Sequence, residues 1–260
     1  MDFGIKSKSA VVCGGSRGIS YAAAFRLANE GARITLVART SATLAESAQK
    51  LGRDTGGEVS YVATDLTSAS GRATLLAARP QADILITNAG VPQRFVPSGS
   101  LTREVWEHWF EAHFYSAIEL IHAYVPGMAE RKFGRIVNVS ANFIKFPQVN
   151  AGPSHAARLA LAGAIASLVR EVAPHNVSIN SVLPGLVDTE ALRTALRERA
   201  IARKVSYETV VAEVCTRCAA GRLADPQEVG DLIAMLTAAS MGYVTGQNIV
   251  SDGGAYQGIF

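Results

Sequence analysis

Ala10-Val11-Val12-Cys13-Gly14-Gly15-Ser16-Arg17-Gly18-Ile19-Ser20 decides the fold. A run of apolar residues predicts a strand buried on both faces, and the glycines permit a tight turn into a helix from Ile19 to about Asn29. Backbone at such a turn can approach a pyrophosphate closely and set its charge on the helix N-terminus. The alternation continues outward. Further strands are predicted at Arg33–Val37, Val59–Ala63, Ile84–Thr87, Arg135–Val139, Val177–Val182 and Asn248–Val250. Helical spacing predicts helices at Ala42–Arg53, near Ser70–Ala78, at Pro153–Val172 and at Pro226–Ala238. One long helix, roughly Arg103 to Glu130, holds Trp106, Trp109 and Phe110, and a charged helical segment covers about Thr189–Arg217.

Strands that are apolar throughout and separated by helices imply a parallel sheet covered on both faces. Right-handed crossovers then give a doubly wound α/β fold, a mainly parallel seven-stranded sheet of the Rossmann kind. Ligands bind beyond the carboxyl ends of such strands, so the loops after Cys13, Val37, Ala63, Thr87, Val139 and Val182 define the expected site. No linker, low-complexity stretch or internal repeat interrupts the pattern, which predicts one dinucleotide-binding domain over residues 1–260.

Composition narrows the classes. Of 260 residues, 48 % are apolar and 18 % charged, which excludes a disordered chain unable to offset its own entropy. A net charge of +3, with no basic run, gives no footprint for nucleic acid. Leu232–Ser251 carries no charge, but Gly242, Gly246, Gln247 and Asn248 interrupt it, so no membrane span is expected. The opening MDFGIKSKSAVV lacks the apolar core of a signal peptide, and a cytoplasmic location is expected. Cys13, Cys215 and Cys218 do not make a disulfide framework; Cys215 and Cys218 form a C-x-x-C that reads as packing more readily than as a metal or redox pair. His108, His122 and His175 show no metal spacing, and no metal site is expected.

Asp65 follows the third strand, Thr87-Asn88-Ala89-Gly90 the fourth, and Asn180-x-x-x-Pro184-Gly185 ends the sixth; Asp252-Gly253-Gly254 lies near the end. With Gly14-x-x-x-Gly18-x-Ser20, these elements in this order resemble the short-chain dehydrogenase/reductase family over nearly the whole chain. The resemblance implies that Gly14, Ser16, Arg17, Gly18 and Ile19 cradle a dinucleotide, that Asp65 and Leu66 meet the adenine, and that Asn88, Ala89 and Gly90 line the adenosine ribose. Pro184, Gly185, Val187 and Thr189 would hold the nicotinamide end. Two positions depart from the pattern: Cys13 stands for the usual Thr, and Ser20 for the usual last glycine, adding bulk that small shifts can absorb.

Charge predicts which dinucleotide binds. No acidic residue ends the second strand to accept from a ribose 2′-OH; Arg39 follows that strand and Arg17 lies in the glycine turn. Two guanidiniums around a 2′-phosphate predict NADP(H) over NAD(H), unless both are merely solvated.

The family's carbonyl reductases use a Tyr-x-x-x-Lys pair, a Ser after strand five and an Asn in the preceding long helix. Counting back from Asn180 puts the Lys position at Arg158 and the Tyr position at Ser154; the Ser position falls on Ala141, one after Ser140, and the Asn position on His113. All four positions are thus read as substituted. Ser154 and Arg158 share a helix face, but a serine hydroxyl reaches less far than a phenol and is a far weaker acid. Arg158 can hold ribose hydroxyls but cannot release a proton near neutral pH. His113, Ser140, Ser154 and Arg158 are the candidate catalytic residues, with Arg158 also a cofactor ligand. His113 has the ordinary range for an acid or relay, or is a packing histidine. His155 should face away from Ser154, since adjacent helix residues point about 100° apart. Asn142, Lys145, Tyr115 and Tyr207 are further candidates to line the pocket.

Three functions fit these residues. The first is an NADP(H)-dependent oxidoreductase with a nonstandard catalytic site. The second is a family member doing non-redox chemistry as a lyase, isomerase or dehydratase, and the third a binding or regulatory protein without turnover. The partner is a small-molecule substrate. The segment 189–217 resembles the family's substrate lid and carries Arg193, Arg197, Arg199, Arg203 and Lys204 beside Glu190 and Glu198, either a solvated face or a sign of an anionic or acyl substrate. The helices at Arg103–Glu130 and Pro153–Val172 resemble the family's dimerisation surfaces, implying a homodimer or homotetramer.

Overall fold

A computed structural model describes residues 2–88, 97–146 and 148–259. The strands are β1 (Ser9–Cys13), β2 (Arg33–Ala38), β3 (Val59–Ala63), β4 (Ile84–Thr87), β5 (Gly134–Val139), β6 (Val177–Pro184) and β7 (Asn248–Ser251), all within two residues of expectation. They form one sheet in the order β3-β2-β1-β4-β5-β6-β7, and every neighbouring pair is parallel. β4, β5 and β6 are buried at every residue, as strands covered on two faces are, although β5 and β6 carry polar residues such as Arg135, Asn138 and Ser181 among their apolar ones.

The described helices are α1 (Gly18–Asn29), α2 (Ser41–Thr55), α3 (Ala69–Ala78), α4 (Arg103–Phe110), α5 (Ser116–Glu130), α6 (Gly152–Val172), α7 (Glu190–Arg203), α8 (Tyr207–Cys215) and α9 (Pro226–Leu236). Two cores result. On one face Leu27, Leu36, Leu51, Ile84, Val229 and Ile233 pack α1, α2 and α9 against the sheet. On the other, Leu85, Leu120, Ile121, Ile136, Leu161 and Ile179 do so for α5 and α6.

Two helical expectations change in detail. The single helix from Arg103 to Glu130 is divided by a π-helical turn, Glu111–Tyr115, with His113 at its centre. Such a turn inserts one residue into the helical repeat and re-aims the side chains around it. The charged segment is two helices, because Lys204 takes a left-handed conformation (φ 55°) that ends α7, and Ser206 caps α8 by accepting from the Thr209 N–H. Among the described residues no helix is long and apolar enough to cross a membrane.

Candidate active site

Strand order reverses between β1 and β4, so the loops that follow them part and leave a crevice at the carboxyl edge. The turn after β1 borders it. Gly14 and Gly18 have φ of +64° and +63°, a region costly for residues with a Cβ. There is also little room: a Cβ on Gly14 would lie 3.1 Å from the Asn88 carbonyl oxygen, and one on Gly18 3.2 Å from Thr189 Cγ2. Loops after β1, β4 and β6 therefore meet at these two glycines. The Gly15 N–H donates to the Val37 carbonyl (3.1 Å), and Ser47 Oγ donates to the Ser16 carbonyl (2.8 Å). Arg17 is exposed in extended backbone just before α1, and Ile19 is half-buried.

Ser20 is more than tolerated bulk. It is fully buried, and its Oγ accepts from Asn88 Nδ2 at 2.8 Å, fastening the start of α1 to the loop after β4. Cys13 is buried beside them, and burial pushes its thiol up to about 12, so it carries no charge at neutral pH. Ala89 and Gly90 lie outside the described residues.

Asp65, after β3, is exposed and accepts from the Thr67 N–H (3.0 Å) and Oγ1 (2.8 Å). Desolvation raises its carboxyl, but the Thr67 bonds and the charges of Arg39 and His108 outweigh it and leave a net lowering. Arg39 is exposed within electrostatic reach of that carboxylate. Leu66 is held by a residue that sequence reasoning missed. Arg72, 3 % exposed, donates Nη1 to the Leu66 carbonyl (3.0 Å) and to Glu111 (3.2 Å), while Nε and Nη2 fork onto Glu119 (2.6 and 3.0 Å). One guanidinium thus ties the loop after β3 to the π turn and α5.

On the other side of the crevice Pro184 ends β6, and a Cβ on Gly185 would stand 2.6 Å from Asp252 Cβ. Val187 bridges to Ala224, and Thr189 Oγ1 accepts from the Leu192 N–H (3.3 Å) to start α7. Leu196, Ala200, Val210 and Val214 form a small core joining α7 to α8. Charges in and around α7 and α8 largely neutralise one another: Arg193 forks onto Asp188 (2.7 Å twice), Arg203 onto Glu213, and Arg197 stands 3.6 Å from Glu190 and over the Tyr207 ring. Cys215 is buried at the end of α8, and Cys218 Sγ donates to its carbonyl at 3.4 Å. Among the described residues no His, Cys, Asp and Glu cluster could hold a metal ion.

The structure brings His113, Ser154 and Arg158 together. Pro153 opens α6, Ser154 is buried in its first turn, and Arg158 follows one turn later. Arg158 Nε donates to Ser154 Oγ, and Nη2 faces His113 Nε2, both at 3.4 Å. A guanidinium only donates, so Nε2 accepts and the imidazole proton sits on Nδ1. Burial, with the Arg158 charge beside it, pushes His113 down to about 2, so the ring is neutral at physiological pH. Burial brings Arg158 down to about 10, still cationic. The ring of Trp109 packs on His113 at 5.2 Å.

Ser140, at the end of β5, is buried; its N–H donates to the Val182 carbonyl (2.9 Å), and its Oγ has no hydrogen-bond partner among the described residues. His155 stacks on Phe143 at 5.1 Å with rings 13° apart. Asn142 donates to Asp252 (3.1 Å), Lys145 is exposed, and Tyr115 meets Phe114 edge-on. Beneath the crevice a cavity of about 20 Å³ is bordered by Asn88, His113, Ser116, Asn138 and Arg158. It has room for about one water molecule among polar partners. The floor is a line of buried polar groups across three strands: Thr87 Oγ1 donates to Asn138 Oδ1 (3.1 Å), and Asn138 Nδ2 to Ser181 Oγ (3.3 Å).

Comparison with known proteins fits this arrangement. Residues 8–200 match the short chain dehydrogenase family. The chain belongs to that family. The short-chain dehydrogenase is 30 % identical to the 3-oxoacyl-(acyl-carrier-protein) reductase of Vibrio cholerae, the match covering 97 % of this chain and 98 % of that protein. Among solved structures, L-sorbose reductase from Gluconobacter frateurii, complexed with NADPH and L-sorbose, is 28 % identical with a TM-score of 0.94 and covers 100 % of both chains. A 3-oxoacyl-(acyl-carrier-protein) reductase from Agrobacterium tumefaciens with NADP bound is 29 % identical, with a TM-score of 0.87 over 97 % of this chain and 96 % of that one. Short-chain dehydrogenases of this kind share the doubly wound sheet described above.

Proposed function

We propose that this chain is an NADP(H)-dependent oxidoreductase with a nonstandard catalytic site. The observation that carries the cofactor reading is the glycine turn, whose left-handed Gly14 and Gly18 let Asn88 and Thr189 close against its backbone. Solved relatives with NADPH or NADP bound support the same reading. Gly14, Ser16, Gly18 and Ile19 would hold the pyrophosphate, Asp65 and Leu66 the adenine, Asn88 its ribose, and Pro184, Gly185, Val187 and Thr189 the nicotinamide end. Arg17 and Arg39, both exposed at the crevice edge, would hold the 2′-phosphate. When bound, the dinucleotide supplies a hydride.

The chain's own residues set what else can happen. Ser154, Arg158, His113 and Ala141 occupy the positions at which family reductases carry Tyr, Lys, Asn and Ser, so no phenol stands beside the cation. Arg158 stabilises negative charge developing on a substrate oxygen without giving up a proton. His113, neutral and accepting from Arg158, orients that guanidinium, and Ser140 and Ser154 offer hydroxyls. The proton then comes from solvent through the polar cavity. Residues 1–260 act as one unit, with 189–217 as a lid, and the helices over Arg103–Glu130 (α4 and α5) and Pro153–Val172 (α6) are the surfaces on which a homodimer or homotetramer would form. Binding without redox turnover is the second reading, favoured by a neutral His113 where an acid would be needed.

Titration of NADPH and NADH by intrinsic fluorescence tests the cofactor reading. NADPH is expected to bind more tightly, with most of the difference lost in Arg39→Ala; equal affinities would overturn it. NADPH consumption across aldehydes, ketones and quinones tests turnover, and binding without any consumption selects the second reading.

A further inference from the structure

Cys215 and Cys218 take no part in the crevice described above, and their spacing alone favours packing. The turn that holds them says more. Cys215 ends α8, and the Cys218 N–H donates to its carbonyl at 3.2 Å. A four-residue turn of this kind keeps its end Cα atoms within about 7 Å, and a disulfide needs about 4.4–6.8 Å. The Cys218 side chain is folded back over the turn: its Sγ donates to the Cys215 carbonyl at 3.4 Å and to the Arg222 carbonyl at 3.5 Å. The Cys215 sulfur in turn accepts from the Leu223 N–H. Two free thiols thus grip the peptide unit between residues 222 and 223, one by its carbonyl and the other by its N–H.

The two thiols differ in access. Cys218 is half-buried, whereas Cys215 is buried. Burial, and then the neighbouring Cys218 sulfur, hold the Cys215 thiol above the ordinary thiol range. A small reagent from solvent therefore meets Cys218 first, and Cys215 is placed to attack only a sulfur already beside it. We propose that Cys215 and Cys218 are a redox-active dithiol that closes to a disulfide by exchange with small disulfides such as glutathione disulfide. Cys218 Sγ, as its thiolate, attacks one glutathione sulfur, forming a mixed disulfide and releasing a glutathione thiolate. Cys215 Sγ, giving up its proton, then attacks Cys218 Sγ and displaces the second glutathione thiolate. Each released thiolate takes up one of the two protons that the cysteines shed. The protein loses two electrons and the glutathione disulfide gains them.

The bond is felt at the crevice. A disulfide has no S–H, so the Arg222 carbonyl loses that donor and the peptide after it is released. The next residue, Ala224, holds the loop after β6: its N–H donates to the Leu186 carbonyl, and its carbonyl accepts from the Asp188 N–H (2.9 Å each). On its other side the turn carries Ala220, whose N–H donates to the Gly253 carbonyl at 2.8 Å, while a Cβ on Gly253 would stand 3.7 Å from Cys218 Sγ. Asp252, next to Gly253, packs against Gly185 and accepts from Asn142. Oxidation therefore loosens Gly185 to Thr189, the stretch assigned above to the nicotinamide end, and weakens NADPH. Only that last consequence rests on the cofactor reading; the dithiol does not.

The test incubates the whole reduced chain with glutathione disulfide and reads the products by intact mass and by thiol alkylation in denaturant. Wild type should lose two hydrogens, carry no glutathione and leave Cys13 alone to be alkylated, and reduced glutathione should reverse the change. Cys215→Ser should keep one glutathione, on Cys218. Cys218→Ser should take up none, since its remaining thiols, Cys13 and Cys215, are buried. NADPH, titrated by fluorescence, should bind oxidised wild type about five-fold more weakly than reduced, the low end of ordinary coupling between sites. Wild type that keeps all its thiols, or that stops at a stable mixed disulfide, overturns the dithiol. Equal NADPH affinity of the two redox forms overturns the coupling to the crevice. A disulfide that forms as expected in a chain with no NADPH affinity in either form removes the cofactor reading alone.

Discussion

Restoring the family's glycine at position 20 should weaken this protein. Ser20 Oγ accepts from Asn88 Nδ2 at 2.8 Å, with Ser20 fully buried in the first turn of α1. A neutral hydrogen bond of this kind contributes about 1 kcal/mol net. Asn88 is partly exposed, so water can replace the lost acceptor in part, and the full penalty of an orphaned donor does not apply. Ser20→Ala loses the bond but regains some helix propensity, for a net loss of roughly 0.5–1 kcal/mol. Ser20→Gly loses the bond and adds up to about 1 kcal/mol of backbone entropy, for roughly 1.5–2 kcal/mol. At about 2–4 °C per kcal/mol for a chain of this size, the glycine variant should melt roughly 3–8 °C lower and the alanine variant less. Urea denaturation checks this through the midpoint, with the slope unchanged. If Ser20→Gly proves as stable as wild type, the hydroxyl is only a filler and the reasoning fails.

His113 makes stability depend on pH. Its folded value, about 2, lies below the ordinary 6.5, so its contribution is complete above pH 6.5 and is lost as pH falls from there toward 2, where the unfolded chain takes up a proton that the native one refuses. Between pH 7 and 5 wild type should lose about 1–2 kcal/mol more than His113→Asn; parallel denaturant titrations decide, and equal slopes would refute it. Arg72→Met should lower stability by roughly 1.5–3 kcal/mol, less than for a fully buried pair, because the Glu111 and Glu119 side chains it abandons are 42 % and 47 % exposed. The same variant should weaken NADPH more than it lowers the melting point predicts, through the freed Leu66 carbonyl, as fluorescence titration would show.

The strand pattern and the glycine turn were legible because each is a local matter: a run such as Ile84–Thr87 needs no distant partner to declare itself buried on both faces. The proximity of His113 to Arg158 was legible only in part, since family spacing put both near the site but gave no distance. The π turn was invisible, because residues 111–115 have ordinary helical composition and only the packing of α4 and α5 against their neighbours reveals the extra residue. The Arg72 clasp and the Asn88–Ser20 bond were equally hidden, each joining groups dozens of positions apart. The charges of 189–217, read from the sequence as a solvated face or an anion site, resolve mainly into internal pairs such as Arg203 with Glu213. Sequence counting did place Ser154 and Arg158 one helical turn apart, and the structure brings both against one another beside His113.

The π turn at Glu111–Tyr115 also bears on how this protein can change over evolutionary time. A π turn is an α-helix carrying one surplus residue, so deleting one position there would let α4 and α5 fuse into a regular helix. The repair would be locally favourable yet would rotate α4 by about 100° and shift it by about 1.5 Å relative to α5. Trp109 would leave its place beside His113, and the guanidinium of Arg158 would lose its imidazole neighbour. Helix regularity and site geometry are therefore opposed in this segment, and length variation should be purged here while point substitutions on the exposed face persist.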